Sequence, residues 1–454
     1  MSQPPVARIT YARRLGFFSG TMAVIGGIIG AGIFRTPATV AARVGSARLA
    51  LGAWVVGGAI ALIGAFCFGE LGQRRPKAGG GYVYLRDAWG ALPAFLYGWA
   101  LLLVIATGAI AAVAVTFANY ALALLGVSAA RTPAVAIAAI VVLSAINYVG
   151  VKPAAVTQNL FTVLKLAALV ALIAAGLFAG TATPLHRPLP PPTAPDGVVA
   201  LVGALGTALV PILFTYGGWQ QTNFIAEEII EPEKNLPRAL VLGVAVVIAV
   251  YLLANVAYLR VLGPAGLARS TAPAADVMRA LLGPAGGTLI AAGIAISTFG
   301  FLNLVILVTP RVLQAMAADG SFFAAFATLH PVYRTPTRAI LLQAAWAIVL
   351  TLSGTFSELV DYVAFGDWIF FGLTVAGLFV YRARDRQPGG AAPRSAFRVP
   401  GYPWTPALFV LAALYVVASS IRANPVNALK GIGLLALGVP VYWLVRARPR
   451  GTGR

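Results

Sequence analysis

Gly26-Gly27-Ile28-Ile29-Gly30-Ala31-Gly32-Ile33-Phe34 and Phe214-Thr215-Tyr216-Gly217-Gly218-Trp219 decide how this chain folds. Each is a glycine-rich break inside an apolar stretch long enough to cross a membrane. The two lie about five spans apart, in corresponding positions of two halves. A break within a bilayer strands backbone N–H and C=O groups where no water reaches them. That cost is tolerated where the freed groups line a cavity and bind something. The pattern therefore predicts a secondary transporter that holds a small polar solute at mid-membrane.

Composition supports a membrane protein. Apolar residues make up 59% and charged residues 10% of the 454. Mean hydropathy is +0.86. A soluble protein of this length could not hide so much apolar surface, so the chain is read as polytopic and all-α. About 12 candidate spans follow: 17–45, 47–72, 89–124, 133–150, 156–180, 198–226, 238–262, 284–316, 338–354, 358–381, 404–421 and 429–446. The first apolar run has no small-residue cleavage site before it and is expected to be a retained helix. The net charge of +20 concentrates in segments that share a side with the N-terminus, such as Arg74-Arg75-Pro76-Lys77 and the tail after Arg446. That is the positive-inside asymmetry, with both termini cytoplasmic and contacts to anionic lipid, and no nucleic-acid partner.

Five spans plus five, then two more, make an odd-numbered repeat, so the second half enters from the opposite side. The expected organisation is a single permease domain over 1–454. It comprises inverted repeats at 17–180 and 198–381 and two extra helices at 404–446. Thr181–Gly197 is expected to be a proline-rich external loop and Gly263–Gly283 a second one, with a short helix over the entrance.

The breaks define the site chemistry. Gly30, Ala31 and Gly32 can bare N–H groups at the start of a half-helix, whose positive dipole end favours a carboxylate. Carbonyls around Phe214, Thr215 and Gly217 are left without helical partners and favour an ammonium. Together they suit an α-amino acid zwitterion. Elsewhere no cofactor motif, nucleophile–base pair or phosphate loop appears. His186 and His330 lack metal-ligand spacing, so no metal is expected.

At these residues the chain resembles the amino acid–polyamine–organocation (APC) superfamily of permeases, most closely its L-type amino acid transporter branch. The resemblance rests on Gly26–Phe34 followed by Thr36-Pro37 and on Phe214–Trp219 followed by Asn223, Glu227-Glu228 and Asn235-Leu236-Pro237. It also rests on Phe68-Gly69-Glu70-Leu71, then Pro76 to Gly80, Tyr82, Tyr84 and Leu85. It implies a LeuT-type fold and alternating access. It places the substrate carboxylate on the Ala31 and Gly32 N–H groups and the amino group on the carbonyls of Ile28, Phe214 and Gly217. Phe214 would close the site from outside. Trp219, Gln220 and Asn223 are expected to set selectivity or gating. Gly81 departs from the family pattern, where a larger residue often follows the glycine pair. Arg35 departs too.

Lys165, in Phe161-Thr162-Val163-Leu164-Lys165-Leu166, sits deep in the fifth span, where a charge is costly and functional by default. In similar transporters a lysine here occupies the place of a sodium ion and ties the first helix to the eighth, with Ser297 and Thr298 as its expected partners. A fixed ammonium makes sodium unnecessary. The same group could instead carry a proton, as could Asp367 in the tenth span. Exchange of neutral L-amino acids in a bacterial-type inner membrane is the preferred reading, with proton symport as the alternative. A membrane-embedded enzyme or a receptor is the different-class alternative, and clustered acids or histidines for an enzyme are missing. Animal members of the branch often pair with a glycoprotein through a disulfide. The one cysteine, Cys67, lies within an apolar span, so no disulfide-linked heavy-chain partner is expected.

Overall fold

The computed structural model describes residues 9–178, 197–354, 356–387 and 397–446. Among them every regular element is helical, and an isolated bridge between Leu15 and Ile229 is the one sheet-like pairing. Continuous apolar sequence leaves the backbone to satisfy its own hydrogen bonds, and a helix does so within one segment. Among the described residues nine helical stretches are long and apolar enough to cross a membrane. Phe17–Ile28 and Thr337–Ser353 are shorter apolar helices.

The first predicted span is two helices, α1 (Phe17–Ile28) and α2 (Thr36–Val44), with a 3-10 turn at Gly32–Phe34 between them. Next come α3 (Ala47–Arg74), the short α4 (Gly81–Trp89), and α5 (Ala91–Ala100), which runs through a π turn at Leu101–Ile105 into α6 (Ala106–Leu124). Then follow α7 (Thr132–Val149) and α8 (Val151–Phe178). The second half opens with α9 (Val198–Thr215), a 3-10 segment at Trp219–Glu228, and α10 (Pro232–Arg269). The chain closes with α11 (Pro273–Leu282), α12 (Pro284–Ala318), α13 (Thr337–Ser353), α14 (Phe356–Asp385), α15 (Trp404–Ala423) and α16 (Pro425–Arg446).

Some boundaries move. The fifth span begins at Val151 rather than 156, so Lys165 lies 14 residues in, about 21 Å along the axis. The seventh extends to Arg269, bending at Gly263, whose φ of 65° breaks the helix before Pro264. The expected short helix in 263–283 is α11. The expected loop Thr181–Gly197, with His186, lies almost wholly outside the described residues, as does half of the segment between Asp385 and Trp404.

Packing centres on α10 and α12. Small residues let helices close: a Cβ on Gly243 would sit 2.6 Å from Val24, and one on Gly64 would sit 2.5 Å from Trp219. Without a hydrophobic drive between helices in lipid, such close van der Waals contact is what holds a membrane bundle together. Large apolar side chains such as Leu352, Leu414 and Leu444 face outward instead.

Candidate functional site

Both glycine motifs break their helices. α1 ends at Ile28, and Ile29 turns extended with ψ 93°. The Gly30 N–H folds back to the Ile28 carbonyl at 2.9 Å. The N–H groups of Ala31 and Gly32 form no backbone hydrogen bond among the described residues. α9 ends at Thr215, and the Gly217 N–H returns to the Phe214 carbonyl at 3.0 Å. Gly218 then takes φ 109°, a left-handed conformation that glycine adopts without steric cost.

The breaks meet backbone to backbone. A Cβ on Gly27 would lie 2.8 Å from the Gly218 carbonyl oxygen, and a Cβ on Gly218 would run into the Gly27 carbonyl. A Cβ on Gly32 would crowd Thr215 at 2.9 Å. The Thr215 hydroxyl stands 2.8 Å from both Thr36 Oγ1 and the Pro211 carbonyl, tying the second break to the start of α2. Two motifs far apart in sequence, with Gly27 and Gly218 at their contact, thus form one crossing.

A cavity of about 490 Å3 opens at this crossing, within the size range of small-molecule sites. Ile28, Gly30, Ala31 and Gly32 line it from the first break, and Phe214, Thr215, Gly217 and Gln220 from the second. Thr298 on α12 and Asp367 on α14 join them. Phe214 is 37% exposed at the cavity wall. Free N–H donors from one break therefore share a chamber with carbonyls from the other.

The Ile28 carbonyl is more occupied than expected. It accepts both the Gly30 N–H and, at 3.1 Å, the Tyr251 hydroxyl from α10, which uses both lone pairs. The Phe214 and Gly217 carbonyls keep acceptor capacity. Trp219 and Asn223 do not line the cavity. Trp219 is buried edge-on against Phe68, with ring centroids 5.0 Å apart. Asn223 accepts the Tyr84 hydroxyl at 3.0 Å and donates to the Gln220 carbonyl. Gln220 takes the Gly218 N–H on Oε1 at 3.0 Å, so it braces the break as well as facing the cavity.

Lys165 is fully buried. Its Nζ donates to the carbonyls of Gly26, 3.1 Å, and Ile29, 2.8 Å. The ammonium thus caps the carbonyls that the end of α1 leaves bare. Ser297 Oγ reaches the Ile29 and Gly30 carbonyls at 3.3 and 3.4 Å, so it meets Lys165 through a shared acceptor. Thr298 bonds back to Ile294 and Ala295 on its own helix. From Lys165 a buried polar row continues through Thr162, Gln158 and Asn303 to Asn147.

Sequence reasoning missed several cavity residues: Tyr97, Gln221, Phe301, Trp368 and Phe371. Four of them are ordinary aromatic positions on helices and Gln221 is a polar residue in the 3-10 segment, and only the packing turns them inward. The end of the sixth span, where Glu227 and Glu228 are expected from the sequence to cap or pair, is tied down at the end of the bundle near residues 9–16. Arg311 and Glu228, both fully buried, pair through two bonds at 3.0 and 3.1 Å. The Arg14 and Leu15 N–H groups both donate to the Glu228 carbonyl, laying the N-terminal segment across that end. The loop before α4 adds a clasp: the Gly79 N–H donates to the Phe224 carbonyl and the Ala78 N–H to Glu227 Oε2.

Apolar helices broken twice around one buried cavity define a membrane transporter. The family model for amino acid permeases matches residues 15–438, and the chain belongs to that family, within the APC superfamily. It is 33% identical to the human "Large neutral amino acids transporter small subunit 2" over 447 residues, covering 96% of this chain and 81% of that protein. It is 31% identical to the Bacillus subtilis (strain 168) "Serine/threonine exchanger SteT" over 442 residues, covering 96% and 97%. Identity to the mouse "b(0,+)-type amino acid transporter 1" is 31% over 421 residues, covering 91% and 83%. The chain is a multi-pass membrane protein of amino acid transport, not an enzyme.

Proposed function

We propose that this protein is a sodium-independent exchanger of neutral L-amino acids working by alternating access in a bacterial-type inner membrane. Both termini would be cytoplasmic, with 12 transmembrane helices organised as inverted repeats at 17–180 and 198–381 and two further helices at 404–446. The observation that carries the reading is the crossing of the two breaks. Unused Ala31 and Gly32 N–H groups suit a carboxylate, and the Phe214 and Gly217 carbonyls suit an ammonium. Phe214 would close over the bound solute. Lys165, held on the Gly26 and Ile29 carbonyls, supplies a fixed cation where another carrier would need sodium. The SteT name, an exchanger covered nearly end to end, favours antiport. Cys67 is fully buried, a poor place for a covalent partner.

A second reading, proton symport, draws support from the same lysine. Its contacts are carbonyls rather than a carboxylate, so either protonation state can be accommodated. Proteoliposomes preloaded or empty, with and without a pH gradient, separate the two. Uptake of labelled alanine, serine or leucine only into preloaded vesicles, indifferent to sodium and pH gradient, is the expected result. Uptake into empty vesicles driven by inward protons would replace exchange with symport.

A further inference from the structure

Among the described residues Asp367 is the one carboxyl group on the cavity lining, and no lysine, arginine or histidine among them shares that lining. It makes no hydrogen bond or ion pair with the described residues, yet its neighbours Trp368 and Phe370 are buried. The cation closest in function, Lys165, is spent on the Gly26 and Ile29 carbonyls behind the first break. A carboxyl group on the wall of this mostly apolar chamber that takes no hydrogen bond from the described residues is costly unless the contents of the chamber supply a donor. The breaks of α1 and α9 already provide for the carboxylate and ammonium common to every amino acid. Asp367 comes from a different helix, α14, and Tyr97, Trp368 and Phe371 accompany it on the wall. The chamber is large enough for a side chain beyond the zwitterion.

We infer that Asp367 is a specificity-determining residue that receives a hydrogen-bond donor, hydroxyl or ammonium, on the substrate side chain. This rests on the reading that the cavity holds the amino acid; a hydroxyl keeps the substrate neutral, whereas an ammonium would replace the neutral class by a cationic one. A site built around a polar group discriminates against an isostere that lacks the donor, because the buried acceptor is then left unpaired. An apolar pocket would show no such penalty.

The test is competition for alanine uptake into proteoliposomes by two isosteric pairs, threonine against valine and 2,4-diaminobutyrate against norvaline. Wild type, Asp367→Leu and Asp367→Asn are compared, and each protein is scored by the ratio within a pair, whatever its absolute rate. Expected is a preference of about tenfold or more for the donor member of at least one pair in wild type, falling to parity in Asp367→Leu. Asparagine keeps an acceptor without a charge. Retention of the threonine preference in Asp367→Asn identifies a hydroxyl, and loss of the diaminobutyrate preference alone identifies an ammonium. Parity for both pairs in wild type overturns the proposal even if a variant does not reach the membrane. So does a preference unchanged in Asp367→Leu. No uptake of any amino acid by folded wild type would overturn the parent reading.

Discussion

Gly218 shows how much depends on a single side chain being absent. Its φ of 109° and its approach to the Gly27 carbonyl each exclude a Cβ. Gly218→Ala should therefore lose about 2 kcal/mol or more of stability, read as a lower Tm of the solubilised protein, and should lose transport as the breaks separate. Lys165 acts in the opposite sense, by what it adds. Lys165→Met keeps the bulk and removes two charge-assisted bonds to α1 carbonyls. Exchange should fall about 100-fold, measured per folded carrier, while alanine binding to the solubilised protein weakens in parallel. Both residues are legible in sequence because each violates a rule: glycine pairs where a helix should run, and a charge where lipid should be. Their partners are not legible. Nothing local ties Lys165 to Gly26 and Ile29 rather than to Thr298, because the choice depends on where α8 lies against α1.

At the scale of elements, the Arg311–Glu228 pair joins α12 to the 3-10 segment that follows the second break. Removing one member of a buried ion pair leaves the other uncompensated, at about 3–5 kcal/mol. Arg311→Ala should lower Tm and make a cysteine at Gln221 react faster with a membrane-impermeant reagent added on the side of the N-terminus. Replacing Arg311 and Glu228 together by methionine should recover most of the stability, because no lone charge remains, while the cysteine stays reactive. A double variant as unstable as Arg311→Ala would show that the pair does more than seal this end. The Pro76–Gly80 motif belongs to the same scale. A Cβ on Gly80 would press into Asn223 at 2.8 Å, so the motif is glycine-rich because it clasps the second broken helix. Gly81, the departure from the family pattern, abuts the Tyr97 ring, with a Cβ 3.2 Å away. Gly81→Leu should push Tyr97 into the cavity and raise KM for larger substrates more than for alanine.

For the whole molecule the expectation is coupled exchange. Unlabelled serine or alanine inside vesicles should accelerate entry of labelled substrate and release of trapped label, measured as counterflow, with a sodium gradient making no difference. The physical basis is that an empty cavity leaves the Ala31 and Gly32 donors unpaired, so closing the broken helices around nothing costs more than closing them around a zwitterion.

Hydropathy and the two glycine breaks by themselves determined the class: a helical membrane carrier with its site at mid-bundle. They can do so because, in lipid, backbone satisfaction is local, and a stretch that cannot satisfy itself announces a cavity. The motif spacing also named the part of the lining that the two breaks contribute, within Ile28–Gly32 and Phe214–Gln220, which is about a third of the wall. Only the tertiary structure decided that Gly27 and Gly218 cross, that Asn223 and Trp219 face away, and that Tyr251 takes the Ile28 carbonyl. It alone left Asp367 on the cavity wall with no hydrogen bond from the described residues and brought Arg311 onto Glu228. Those are contacts between helices far apart in sequence, set by packing of small residues and by burial, and a linear pattern holds no record of which faces will meet.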